Sequence, residues 1–219
     1  MLALEKGTVT DLSGRTFENI TAFQYALWAM DWHMWKMLQK YISPEAAALQ
    51  LQELEEKGTA HGKHFSLSPL IEALDTYVKN FDGWYKASNW TAIETHWCRQ
   101  VGGTQLLVPA HVAQEYCHPS RPFSPCPDFS ADVQFPRSMK TDEGEWFTAV
   151  YNGGTLGIKF GFLRYFEALA DAAAKVGNVQ RVGHDREVLQ CLLNTRQQQL
   201  LGLKKDLASR IEPMIGLGR

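Results

Sequence analysis

The sequence lacks the features that mark several common classes of protein. Four cysteines in 219 residues are too few for a disulfide scaffold, so we expect a reducing compartment. Lysine and arginine (22) do not outnumber aspartate and glutamate (24), which argues against nucleic acid as the main partner. No run of 18 apolar residues is present, and the first ten residues lack the apolar stretch of a secretory signal. We therefore expect a globular protein without a membrane span.

The composition that remains is that of a folded chain, with 45% hydrophobic and 11% aromatic residues. The pattern of residues divides the chain into a tryptophan-rich helical region (1–105) and a second region (106–219) with a proline-rich loop and C-terminal helices. The two regions could also form one continuous domain. The predicted fold class is mostly α (α+β), with a short β-hairpin at 146–160, a helix at 162–175 and a long helix at 185–211.

Helix boundaries in the first region are indicated by capping residues. Ser43-Pro44 predicts a helix start and Gly58 its end, because serine caps helices and proline suits their first turn. Ser68-Pro69 predicts a second helix that ends at Asp82-Gly83, and Asn89 a third. Pro109 to Tyr116 predicts a further short helix. Asp11 to Gly14 reads as a turn.

The segment 21–38 is apolar on every side if it is read as one helix, which would require burial all round. We therefore predict a break near Met30-Asp31, with Asp31 capping a second helix. A stripe of aromatic residues is usually core. Its functional interpretation is that part of the stripe anchors a partner, and the candidate partner-binding residues are Trp28, Trp32 and Trp35.

This segment also resembles one ankyrin repeat. Thr21 to Ala26 and then Met34 to Leu38 follow the repeat's pattern without a gap. Ala22, Gln24 and Met30 stand where the repeat has proline, histidine and glycine. Because about three stacked units are needed for stability and one is visible, the resemblance implies an ankyrin-like helix pair within another fold.

A wider resemblance covers roughly residues 10–137. It is carried by an ordered set of motifs: Ser13 to Phe17, Tyr25 to Trp35, Val101 to Gly103, Pro109 to Val112, Glu115 to Cys117 and Arg121 to Phe123. This order resembles a family of poorly characterised effectors that bacteria inject into host cells through a type IV secretion system of the Dot/Icm kind. The resemblance implies a protein made in the bacterial cytoplasm and delivered to the host cytosol. It implies no particular chemistry.

Potential catalytic chemistry is concentrated between residues 96 and 126. A Cys/His pair would use Cys117 or Cys98 as the thiolate and His111 as its base, oriented by Asp128 or Glu115. Cys117 follows a helix C-terminus, where the dipole disfavours a thiolate. Zinc is disfavoured because no C-x-x-C knuckle is present, so we expect neither metal nor cofactor. A structural role remains open, in which the histidines bond backbone carbonyls around the proline loop.

Two functions from different classes follow. The first is a translocated effector that serves as a protein–protein interaction module on a host protein. The alternative is a small Cys/His-dependent hydrolase or transferase, with Cys117, His111 and Asp128 as its catalytic residues. The oligomeric state is not indicated by the sequence.

Overall fold

The computed structural model describes residues 4–11, 13–116, 126–129 and 179–216, and the fold is mostly α-helical, as predicted. Among these described helices, none combines the length and apolar character needed to cross a membrane. A 3-10 turn (Gln39–Tyr41) follows α2, and a π-helical segment (His96–Gly102) follows α5. In chain order the elements are β1 (Gly7–Thr10), β2 (Thr16–Ile20), α1 (Ala22–Trp28), α2 (Trp32–Leu38), α3 (Pro44–Lys57), α4 (Ser68–Lys86), α5 (Trp90–Thr95), α6 (Gly103–Gln105), α7 (Ala110–Tyr116) and α8 (Val179–Gly216).

The chain divides into two compact units. Unit 1 comprises residues 1–65 and 193–219, and unit 2 comprises residues 66–192. The division therefore lies after Phe65 and within α8. The division of the sequence into regions 1–105 and 106–219, or their union in one continuous domain, stays a prediction.

A β-hairpin opens unit 1. Strand β1 pairs with β2 in antiparallel register, with Val9 opposite Phe17 and an irregularity between Gly7 and Val9. Phe17 and Ile20 are the buried residues of β2. They are three positions apart and would lie on opposite faces of a regular strand, but Asn19 between them has a left-handed φ of 54°, which interrupts the alternation. The turn predicted at Asp11 to Gly14 connects these strands. The hairpin predicted at 146–160 lies outside the described residues, as do the proline-rich loop at 119–125 and 136 and the helix predicted at 162–175.

The predicted break between α1 and α2 is confirmed. Thr21 and Gln24 form a capping box at the start of α1, and the Asp31 side chain accepts a hydrogen bond from the Met34 amide (3.1 Å) at the start of α2. Met30 adopts a left-handed conformation with φ of 58°, which an L-residue with a side chain rarely adopts. These local preferences end one helix and start the next within three residues.

Helix α3 has the predicted boundaries. The Ser43 hydroxyl accepts from the Ala46 amide at 3.2 Å, and Gly58 ends the helix with φ of 65°. Glu55 on α3 accepts hydrogen bonds from His64 (2.8 Å) and from Lys204 on α8 (2.6 Å). Burial raises the pKa of the Glu55 carboxyl, but these two donors outweigh it, and the pKa is lowered. Leu200, Leu203 and Leu207 of α8 complete the core of unit 1.

Unit 2 is built around aromatic residues of α4. Tyr77 and Phe81 are buried with Ile93, and Trp84 and Trp97 pack against them. Helix α4 continues past the end predicted at Asp82-Gly83 as far as Lys86. Gly83 is exposed, so its roughly 1 kcal/mol helix cost is offset by the packing of the aromatic residues on either side. Asn89 caps α5 as predicted, accepting from the Ala92 amide at 3.1 Å.

Two of the four cysteines are joined. Cys126 and Cys191 form a disulfide within unit 2, across a sequence separation of 65 residues. The low cysteine count gave no sign of this bridge, because a single bridge between distant residues leaves no spacing pattern in a sequence. The expected reducing compartment stays a prediction. Cys98, in the π-helical segment, is half-buried and is not joined in this disulfide.

Candidate protein-binding surface

The three tryptophans predicted to bind a partner do not share one environment. Trp28 and Trp35 are each only 1% exposed and belong to the core of unit 1, so neither offers surface to a partner. Trp28 packs its ring at 4.4 Å from that of Phe17, and its indole N–H donates to the carbonyl of His61 at 3.3 Å. Trp32 is half-buried and retains accessible surface. The break at Met30 explains the difference, since Trp28 ends one helix and Trp32 begins the next.

An exposed apolar and basic face lies beside Trp32. The α2 surface, as we call it, comprises Trp32, Lys36, Met37, Lys40 and Tyr41. Met37 is 44% and Tyr41 66% exposed, and the ammonium group of Lys36 lies 4.6 Å from the centre of the Trp32 ring. Residues 32–43 contain no carboxylate. The α2 surface therefore combines large exposed side chains with the positive charges of Lys36 and Lys40.

A partly buried ion pair lies in the hairpin turn and packs against α1. The guanidinium group of Arg15 lies 4.8 Å from the Trp28 ring centre, and its Nε and NH2 donate to Oδ2 of Asp11 at 2.9 and 2.7 Å. Oδ1 of Asp11 accepts from the amides of Ser13 (2.9 Å) and Arg15 (3.0 Å) and from the Ser13 hydroxyl (2.6 Å). The hairpin turn is thereby fixed against α1. Burial, reinforced by Asp11 and opposed by Arg15, raises the pKa of the Tyr25 hydroxyl to about 12.

A polar network joins the start of α1 to α3. The Thr21 hydroxyl donates to Oε1 of Gln50, and the Gln24 side-chain amide donates to the Gln50 carbonyl (3.2 Å) and to Oε2 of Glu53 (2.9 Å). Hydrogen bonds from Lys6, Lys57 and Gln24 lower the pKa of Glu53 to about 2. An open cavity of about 370 Å³ lies beside this network, with Phe17, Ile20 and Leu54 among its lining residues. These hydrogen bonds connect α1 firmly to α3.

The described part of the chain includes two of the three predicted catalytic residues. His111 is buried in α7 and 5% exposed, Asp128 is exposed, and Cys117 lies outside the described residues. The Cys/His hypothesis therefore stays a prediction. Cys126, another member of the cysteine and histidine cluster, is bound in the disulfide. Within the described ranges no group of three or more potential metal ligands occurs.

One histidine of that cluster bonds a backbone carbonyl, but one on α4 and not in the proline loop where the sequence interpretation placed such bonds. His96, in the π-helical segment, donates from Nε2 to the carbonyl of Ala73 on α4 at 2.8 Å. Its ring also lies 5.4 Å from that of Trp84. His96 therefore ties the π-helical segment to α4, and its position near Cys98 in sequence has a packing explanation.

The fold and the α2 surface define a mostly helical protein of two units with an exposed apolar and basic helix face. The family model described as "CBUA0006 C-terminal domain" matches residues 69–207. The chain is 35% identical to the uncharacterized protein CBUA0006 of Coxiella burnetii (strain RSA 493 / Nine Mile phase I), over 94% of this chain and 68% of that protein. The chain belongs to this family.

No solved structure matches the chain at a significant level. The family match begins at Pro69, the second residue of α4, and ends at Leu207 in α8. It therefore includes most of unit 2 and leaves the α2 surface outside its bounds.

Proposed function

We propose that this protein is a bacterial effector that a Dot/Icm type IV secretion system delivers into a host cell, where it binds a host protein through the α2 surface. Two observations support the delivery part of the proposal. The chain belongs to a family with a member in Coxiella burnetii, and its ordered motifs resemble secreted effectors. The exposure of Tyr41 and Met37 beside two lysines is the observation on which the binding role rests.

The chemistry of the α2 surface suits protein recognition. Tyrosine and methionine are enriched at protein interfaces, and a few such side chains supply most of the binding energy. Tyr41 is 66% exposed, so most of its ring is available for burial by a partner. Lys36 and Lys40 would steer an acidic partner and disfavour a basic one. The expected partner therefore presents apolar side chains flanked by carboxylates.

Delivery and binding can be tested separately. For delivery, a reporter enzyme that is active only in host cytosol is fused to the chain. The fusion is expressed in a strain with an intact Dot/Icm system and in an isogenic strain without one. We expect reporter signal from the intact strain alone; equal signals from both strains would refute delivery by this route.

For binding, a photo-crosslinking amino acid replaces Tyr41 in the full chain, and the crosslinked host protein is identified and purified. Its affinity is then measured for the native chain and for Met37→Glu. We expect a loss of about tenfold or more for this substitution, because it puts a carboxylate at the centre of a desolvated contact. Leu201→Glu is the matched control, since Leu201 is a similarly exposed residue (48%) of unit 1 on α8. Equal losses in both variants would refute a role for the α2 surface.

A further inference from the structure

Two exposed aromatic rings meet at the turn between α4 and α5 in unit 2. Tyr85 is 47% and Trp90 44% exposed, their ring centres are 5.5 Å apart, and their planes are at 86° to one another. We refer to this pair as the aromatic corner. Large aromatic side chains this exposed contribute little to a core, so much of their surface is available to a ligand.

The aromatic corner is held in place by the turn beneath it. The Ser88 amide donates to the Tyr85 carbonyl at 2.9 Å, and Ser88 itself adopts a left-handed conformation with φ of 52°. On the other side, Phe81 stacks on the Tyr85 ring at 5.8 Å and 22°. Backbone strain in a non-glycine residue persists only where surrounding structure imposes it. The turn at Ser88 and the stacking of Phe81 therefore hold the two rings in this arrangement in the absence of a ligand.

Two carboxylates share helix faces with these rings. Asp82 precedes Tyr85 by three residues on α4, and Glu94 follows Trp90 by four residues on α5, spacings that place side chains on one face. Both carboxylates are exposed, and neither forms an ion pair with any residue in the described ranges. Lys86 is the one neighbouring cation in the described turn segment 82–94.

We propose that the aromatic corner, with Asp82 and Glu94, binds a cationic side chain of a partner protein, an arginine or a methylated lysine. The faces of tryptophan and tyrosine attract cations, most strongly guanidinium and alkylated ammonium groups, which are weakly hydrated. The two carboxylates neutralise the bound charge. This site takes a ligand of opposite charge to the one expected at the α2 surface, so it does not depend on the function proposed for that surface.

The test uses the full chain labelled with ¹⁵N and follows the indole N–H signal of Trp90 by NMR, assigned by its disappearance in Trp90→Phe. Three probes are titrated: N-acetyl-arginine methylamide, N-acetyl-trimethyllysine methylamide and the neutral N-acetyl-citrulline methylamide. We expect saturable shifts of the Trp90 signal with at least one cationic probe and none with citrulline. The two cationic probes distinguish arginine from methylated lysine as the ligand. Equal shifts with citrulline, or no shift with either cation, would overturn the proposal.

Substitutions then locate the binding energy. Tyr85→Ala and Glu94→Gln should each weaken cation binding about two- to fivefold, as expected for one exposed cation–π or carboxylate contact. Lys86→Ala should leave binding unchanged or strengthen it, because it removes a like charge. Leu107→Ala, at a residue of unit 2 that is 45% exposed, is the control for loss of exposed apolar surface. All these residues are exposed, and retained peak dispersion confirms folding. Unchanged affinity in both Tyr85→Ala and Glu94→Gln would refute the site.

Discussion

Removal of the Asp11 carboxylate should destabilise unit 1 far more than removal of an exposed carboxylate of the same kind. The side chains of Asp11 and Arg15 are 5% and 15% exposed, so the guanidinium group would lose the Asp11 carboxylate while it stays largely buried. A buried charge left in this way costs about 3–5 kcal/mol. The Ser13 and Arg15 amides would also lose their acceptor. For Asp11→Ala we therefore expect a loss of about 3–5 kcal/mol in the free energy of unfolding.

The assay is equilibrium unfolding in urea, followed by tryptophan fluorescence and far-UV circular dichroism. The exposed pair Asp206 and Arg210 supplies the control, since it has the same i,i+4 spacing but side chains 45% and 57% exposed. Asp206→Ala should cost less than about 1 kcal/mol. In a double-mutant cycle with Arg15→Met, Asp11→Ala should show a coupling energy of about 1–3 kcal/mol. A cost for Asp11→Ala no greater than that of the control, or additive effects, would refute this account of the ion pair.

Three further predictions concern single features of the fold. The double variant Cys126→Ala/Cys191→Ala should have a free energy of unfolding about 3–4 kcal/mol lower than the native chain under oxidising conditions, because the disulfide closes a loop of 65 residues. In reducing buffer the two chains should be equally stable. Urea titrations in both buffers measure this difference. Glu53 has its pKa lowered to about 2 from 4.5, so its stabilising contribution is complete above pH 4.5 and is lost as the pH falls towards 2. Glu53→Gln should therefore flatten the acid limb of the stability profile, and an acid limb equal to that of the native chain would contradict this. Ser88→Gly should raise the melting temperature, because glycine adopts the left-handed backbone conformation of Ser88 without the strain of about 1 kcal/mol that a side chain causes at this exposed position. A lower melting temperature would contradict strain in the Ser88 backbone.

Helix boundaries were the part of the fold that the sequence predicted best. Ser43, Pro44 and Gly58 act through hydrogen bonds and dihedral angles within a few residues of themselves, so a local reading suffices. The same holds for Asp31 and Asn89, whose side chains cap helices directly. Where tertiary packing outweighs local preference, the prediction failed. Helix α4 passes through Gly83 because aromatic residues on both sides of it are packed.

The features that sequence reasoning missed depend on residues far apart in the chain. The hairpin of β1 and β2 has only two buried side chains in β2 and no alternating apolar pattern to reveal it. The disulfide joins residues 65 positions apart. The stripe of tryptophans did indicate a core helix pair, but not which members are buried. That distinction depends on tertiary contacts, such as those that the Trp28 ring makes with Phe17 of the hairpin and with Phe65.

Helix α8 also determines the stage of synthesis at which unit 1 can complete its folding. Leu200, Leu203 and Leu207 pack with Phe17, Trp28 and Leu54, so the earliest and the last segments of the described chain share one core. During synthesis, a ribosome must translate all of unit 2 before Leu200, Leu203 and Leu207 can join this core. Until then the apolar surface that these leucines cover stays exposed, which makes the nascent chain a substrate for chaperones and leaves the completion of unit 1 to a late stage of folding.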